Sequence, residues 1–277
     1  MENSVIYNPV LGDAPGLGSG PGCATAAIRL YLDLLKASLT NTLFAAEPDV
    51  EDEIQTRYVQ DFIRHYIEGV AISMCPRVRL DNIESCIVDV LTKGIPGDLI
   101  ETGVWRGGAT IFMRGVLKAF ETSDRVVWVA DSFEGQPEPD AEKFPLDAKA
   151  HSGKVMEKVY EHFAVSLEDV QRNFRAYGLL DDQVRFLKGW FRDTLPAAPI
   201  SALSIMRLDG DYYESTMDGL RNLYDKLSVG GYVIIDDYGE DSWTYCRRAV
   251  DEFRSERCIE DPLRRVDSMC HYWQRTR

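Results

Sequence analysis

From Gly97 onward, short apolar runs alternate with stretches of helical spacing. Asp98 to Thr102, Val126 to Ala130, Val184 to Lys188, Leu203 to Asp209 and Tyr232 to Asp236 are the strand candidates. They predict parallel strands buried on both faces, and their alternation with helices implies an α/β fold with a mostly parallel sheet. A late alternating segment, Arg265 to Gln274, predicts edge strands, which in such sheets are often antiparallel. Ahead of the first strand the period is helical. Ile28, Tyr31, Leu32, Leu35, Leu39 and Leu43 share one face of Ala24 to Phe44; Val59, Phe62, Ile63, Tyr66, Ile67 and Val70 repeat the pattern; and Leu80, Ile83, Ile87, Val90 and Leu91 form a third set. These predict an N-terminal helical extension over residues 24–94, joined to a domain over residues 95–277. Residues 1–23 contain LGDAPGLGSGPG and predict a flexible lead-in. The connection from Asp131 to Asp182 is too long for an ordinary crossover and opens with many prolines and charges, so a lid is expected at about 134–165.

The polar residues that end these runs carry the chemistry. Two strands close in aspartates, LSIMRLDGD and GYVIIDDYG, which makes Asp209, Asp211, Asp236 and Asp237 candidates for one cluster at a strand-tip site. Carboxylates that close repel one another and require a cation, a captured proton, or both. Asp209 and Asp211 lie two apart, so an extended backbone would aim both to one side. Aspartate also favours caps and turns, which is the plainer account of DGD.

The first strand runs into a glycine turn, DLIETGVWRGGAT. Its pattern is E-x-G-x-x-x-G-G rather than the dinucleotide fingerprint G-x-G-x-x-G, and the acid at Glu101 suits a cationic ligand such as S-adenosylmethionine better than a diphosphate. Such glycines can also serve only to pack helix on strand. The second strand ends VVWVADSFEG and puts Asp131 where nucleotide-binding α/β folds carry the acid that holds ribose hydroxyls. Trp190, after the third strand, could border an adenine ring or anchor the core.

Composition narrows the classes. With 31 Lys and Arg against 45 Asp and Glu, the net charge of -14 disfavours a nucleic-acid backbone as partner. The six cysteines form no CxxC pair, so reduced thiols are expected rather than a zinc site. No basic leader or apolar span is evident, and a cytoplasmic protein with no membrane partner is expected. The histidines are scattered: His65 and His271 read as structural, whereas His151 and His162, in or beside the long connection, are second-choice bases.

The blocks YLDLLKASLTNTLF, RLDNIESC, DLIETGVWRGG, VADSFEGQP, SLEDVQRNF, FLKGWFRDTLP and LDGDYYESTMDGLRNLYDKLSVGGYVIIDDYG resemble the macrocin O-methyltransferase (TylF) family, which methylates sugar hydroxyls of macrolide and aminocoumarin antibiotics. The resemblance spans roughly Ala24 to the C-terminus. It implies a class I S-adenosylmethionine-dependent methyltransferase (Rossmann-like) fold, a divalent ion, usually Mg2+, and a homodimer or higher homo-oligomer. By position, Asp209, Asp236 and Asp237 would be metal ligands and Asp211 the general base, although some members use a histidine base. Glu101, Thr102, Gly103, Gly107, Gly108, Asp131, Ser132, Phe133, Gly189, Trp190 and Asp209 would surround the cofactor. The expected activity is Mg-dependent methylation of a sugar hydroxyl on a glycosylated natural product. A phenol or catechol acceptor is the nearest rival, a non-catalytic cofactor-binding assembly protein a second, and a nicotinamide oxidoreductase a third, weakened by the missing fingerprint.

Overall fold

The computed structural model describes residues 23–44, 63–145, 147–148, 162–239 and 244–277. Apart from Cys23, the expected lead-in lies outside these residues, as do Val59, Phe62, His151 and the 149–161 part of the expected lid. Seven strands form one sheet in the order β3-β2-β1-β4-β5-β7-β6. They are β1 (Asp98–Thr102), β2 (Val127–Asp131), β3 (Val184–Lys188), β4 (Leu203–Leu208), β5 (Leu227–Ile235), β6 (Arg264–Arg265) and β7 (His271–Gln274). The first five pair in parallel, while β7 runs antiparallel to both β5 and β6, as the late alternating segment predicted. This is the class I S-adenosylmethionine-dependent methyltransferase architecture.

The strands are apolar because both faces are covered. Leu99, Val127, Val129, Ile205 and Ile234 pack beneath α1 (Cys23–Leu39), α2 (Arg77–Thr92), α3 (Gly108–Ala119) and α4 (Leu167–Ala176). Ile100, Trp128, Met206, Val233 and Ile235 face the other way, toward the four-residue α5 (Phe191–Thr194), α6 (Tyr213–Leu223) and α7 (Thr244–Glu256). Alternate residues of one strand thus enter two cores. Ser166 caps α4, its hydroxyl accepting from the Asp169 amide at 3.1 Å.

The N-terminal extension shares the first of these cores. Leu32, Leu35, Leu39, Leu80 and Ile83 are at most 5% exposed and pack with Phe112, Val129 and Ile205. Two expected helices end before their patterns do. α1 stops at Leu39, whose carbonyl accepts from the Ile72 and Ser73 amides at 2.8 and 3.0 Å, so another segment takes the place of a further turn. Of the second pattern, the described part is one π-helical turn, Ile63–Ile67. β5 begins at Leu227, earlier than the pattern indicates, because Ser228 and the left-handed Gly230 interrupt the apolar run without ending the strand. Cys75, Cys86, Cys246 and Cys270 are buried free thiols and Cys258 is an exposed one. No described helix is long and apolar enough to cross a membrane.

Candidate active site

The chain leaves β1 toward β2 on one side and reaches β4 on the other, so the C-terminal tips of β1 and β4 flank a crevice. The turn after β1 closes tightly on the β4 tip. A Cβ at Gly103, where φ is +83°, would lie 1.6 Å from the Asp209 carbonyl oxygen, so only glycine fits there. Asp209 follows directly on β4, and Asp211 comes two residues later in the left-handed region at φ +58°, its amide donating to Asp237 Oδ2 at 3.3 Å. One carboxylate oxygen from each of Asp209, Asp211 and Asp237 falls within 4.8 Å of the others.

Asp236, expected in the same set, is turned elsewhere. Its Oδ1 accepts from Arg207 Nη2 and its Oδ2 from Arg79 Nη1 at 2.7 Å. The expectation that both aspartates join one cluster is corrected by the two guanidiniums: Asp236 and Asp237 both line the second cavity, but Arg79 and Arg207 occupy the Asp236 carboxylate and only Asp237 joins the acid cluster. Arg207, 1% exposed, also holds Glu101 Oε1 and, at 2.7 Å, Asp209 Oδ2. Arg79 in turn grips Asp267 with Nε to Oδ2 at 2.6 Å and Nη2 to Oδ1 at 3.2 Å. Sequence reasoning missed both arginines. The signal was present in LSIMRLDGD, where one charged residue interrupts a strand buried on both faces.

The electrostatics follow from burial and crowding. Burial raises Glu101 to about 8 despite Arg207, and raises Asp209 to about 6 with help from Asp236. Burial and the neighbouring carboxylates push Asp211 and Asp237 well above the usual carboxylate range. Asp267 moves the other way: burial alone would raise it, but the paired Arg79 guanidinium holds it below.

Two cavities meet at these acids, sharing Met74, Trp105, Phe163, Asp209 and Asp211. The first, about 780 Å3 of empty space, is lined by Gly103, Asp131, Ser132, Gln136, Gly189 and Trp190 among others. The second, about 760 Å3, lies against Tyr66, Ser73, Cys75, Arg79, Glu101, Arg207, Asp236 and Asp237. Asp131 lines the first cavity while bracing the β1 turn: Oδ2 accepts from the Val104 amide at 2.7 Å and Oδ1 from the Phe133 amide at 2.8 Å. Trp190 and Gly189 form the wall of the first cavity.

Other expected cofactor residues serve packing. Phe133, 4% exposed, belongs to the core beside Phe186, because its φ of +57° rotates it away from the crevice. A Cβ at Gly107 would meet Val170 at 2.9 Å and one at Gly108 would meet Ser73 at 2.4 Å, so both glycines let α3 start against its neighbours and neither lines a cavity. Glu101 opens on the second cavity rather than the first, and among the described residues its Oε2 has no partner; nor does the buried Thr102 hydroxyl. Among the described residues no histidine lines either cavity. His65 Nε2 bonds the Thr40 carbonyl at 2.8 Å, and His162 offers its own carbonyl to Trp105 Nε1 at 2.9 Å.

The macrocin-O-methyltransferase (TylF) family model matches residues 65–275. The chain is 48% identical over 257 residues to 8-demethyl-8-(2,3-dimethoxy-alpha-L-rhamnosyl)-tetracenomycin-C 4'-O-methyltransferase of Streptomyces olivaceus, covering 89% of this chain and 93% of that protein. It is 48% identical over 253 residues to demethyldecarbamoylnovobiocin O-methyltransferase of Streptomyces niveus, covering 90% and 94%. Mycinamicin III 3''-O-methyltransferase of Micromonospora griseorubida is 45% identical over 255 residues, covering 91% and 98%. Among solved structures, that of the O-methyltransferase NovP superposes with a TM-score of 0.80 at 48% identity, covering 90% of this chain and 100% of that one.

Proposed function

The chain belongs to the macrocin-O-methyltransferase (TylF) family, and from that premise we propose that it transfers a methyl group from S-adenosylmethionine to a sugar hydroxyl of a glycosylated natural product, with Mg2+ as its metal. The observation that carries this reading is the convergence of Asp209, Asp211 and Asp237 where two cavities meet. One cavity suits the methyl donor and the other the acceptor.

The residues fit both groups. Hard oxygen donors from two neighbouring strand tips suit Mg2+. The carboxylates of Glu101, Asp209, Asp211, Asp236, Asp237 and Asp267 outnumber the guanidiniums of Arg79 and Arg207, which leaves room for a divalent charge. Asp209 and Asp237 would hold it with Asp211 alongside, and Asp236 would join only by giving up an arginine. For the cofactor, Asp131 keeps lone pairs for ribose hydroxyls beyond the Val104 and Phe133 amides and the Ser132 hydroxyl that it accepts, and Gly189 and Trp190 would border the adenine, while Glu101 opens on the other cavity.

When bound, the sulfonium supplies an electrophilic methyl and the cation lowers the pKa of a coordinated hydroxyl. The chain supplies the rest. Asp211 would take the proton of the acceptor hydroxyl as its oxygen becomes the nucleophile. Trp105, Met74 and Phe163, at the junction, would exclude water and hold the two reactants in line. A homodimer is supported by an exposed apolar stripe on α1, where Leu30 is 71% and Leu34 58% exposed.

The test is a methyl-transfer assay over glycosylated antibiotics and their desmethyl precursors, with and without EDTA. EDTA-sensitive transfer to a sugar is expected. Faster transfer to a simple catechol, or transfer indifferent to EDTA, would overturn the acceptor or the metal assignment respectively.

A further inference from the structure

The turn leaving β2 is built to carry one side chain across the crevice. Ser132 Oγ donates to the Gly135 carbonyl at 2.6 Å and accepts from the Glu134 amide at 3.0 Å. Phe133 and Gly135 both adopt the left-handed region, at φ +57° and +92°, and the Phe133 ring is anchored in the core. A turn fixed at so many points has little freedom left. Beyond it Gln136 lines the first cavity, and its Nε2 donates to Asp211 Oδ2 at 2.5 Å. Its Oε1 is buried with no partner among the described residues.

Asp211 needs such a partner. It sits on a left-handed residue between two other carboxylates, Asp209 and Asp237, each of which repels it. The Asp237 carboxylate holds the Asp211 backbone amide, not its side chain. Among the described residues, Gln136 is the side chain that donates to the Asp211 carboxylate.

We propose that Gln136 is a positioning residue for the reaction: by donating to Oδ2 it fixes the plane of the Asp211 carboxylate and leaves Oδ1 to receive the acceptor's proton. The inference rests on the reading of Asp211 as the base. Gln136 belongs to the same rigid turn as Asp131, so one piece of backbone sets both the ribose seat and the aim of the base. An amide suits the task because it donates without adding charge to a site already crowded with acids.

The experiment is steady-state kinetics of Gln136→Leu, Asp211→Asn and the double variant, with calorimetric S-adenosylhomocysteine binding and thermal melting of each. Gln136→Leu should lower kcat about 10- to 100-fold, the scale of a misplaced reacting group. KM for the acceptor, the product affinity and the melting temperature should stay close to wild type. The double variant should be no slower than Asp211→Asn alone, since Gln136 acts through Asp211. An inactive Asp211→Asn beside a Gln136→Leu variant of normal kcat overturns the role of Gln136 and leaves the base in place. A loss of product affinity matching the loss of kcat also overturns it, by making Gln136 a cofactor contact. Asp211→Asn turning over at the wild-type rate overturns the base assignment and this inference with it.

Discussion

Arg207 on β4 donates to Glu101 on β1, two side chains that are 1% and 2% exposed and lie in adjacent strands. The first strand's acid is therefore countered from inside the sheet, and the same guanidinium reaches Asp209 and Asp236. Removing one side of a buried pair leaves the other charge without compensation. Arg207→Met should destabilise the protein by about 3 to 5 kcal/mol, read from urea unfolding. Arg207→Lys keeps the charge but loses the fork that spans three carboxylates, and should fall between Arg207→Met and wild type.

Removal of the metal and removal of the base should have different signatures. Asp211→Asn should reduce kcat by about 10²- to 10⁴-fold, the usual contribution of a general base, with S-adenosylhomocysteine affinity unchanged. Asp209→Asn and Asp237→Asn should instead raise the Mg2+ concentration needed for half-maximal activity. Titrating Mg2+ into EDTA-treated enzyme and following initial rates separates the two classes.

Asp218, at the far end of the first cavity, gives a pH signature of its own. Burial and the nearby Glu214 carboxylate push it up to about 6. Its folded pKa exceeds its unfolded one, so the folded state holds the proton more tightly. Stability from this group is full below the unfolded value of about 3.9 and is lost as pH rises through about 6. Asp218→Asn removes that loss. Its melting temperature should exceed wild type by about 2 to 4 °C at pH 7.5, for about 1 kcal/mol in a chain of this size, and match it at pH 4.

Gly103 and Gly178 both have positive φ, at +83° and +65°, yet their surroundings differ. Nothing lies within 4 Å of a Cβ at Gly178, so Gly178→Ala should cost about 1 kcal/mol for its backbone alone. Gly103→Ala drives a methyl into the Asp209 carbonyl and should cost at least about 3 kcal/mol. Parallel denaturant melts of the two variants compare strain with collision.

The strands were legible because a strand covered on both faces has little freedom in composition, and its first polar residues mark the tip. That logic located Glu101, Asp131, Asp209 and Asp237. It failed where direction mattered. Asp236 and Asp237 are adjacent in sequence and indistinguishable in type, but two arginines distant in sequence or in the next strand take Asp236 and leave Asp237 to the acid cluster. Phe133 follows Asp131 at strand spacing, and a single left-handed residue returns it to the core. Nor could spacing reveal that Arg79 and Gln136 meet Asp236 and Asp211, since those pairs are 157 and 75 residues apart.

Arg79 belongs to α2, within the N-terminal extension, and binds Asp236 after β5 and Asp267 before β7. The extension therefore cannot be exchanged as an independent module. A chimaera that borrows residues 24–94 from a relative to alter acceptor choice must import an arginine at this point of the helix. Without it the hybrid leaves Asp267 buried without its counter-charge and Asp236 held by Arg207 alone, and its failure would say nothing about the acceptor.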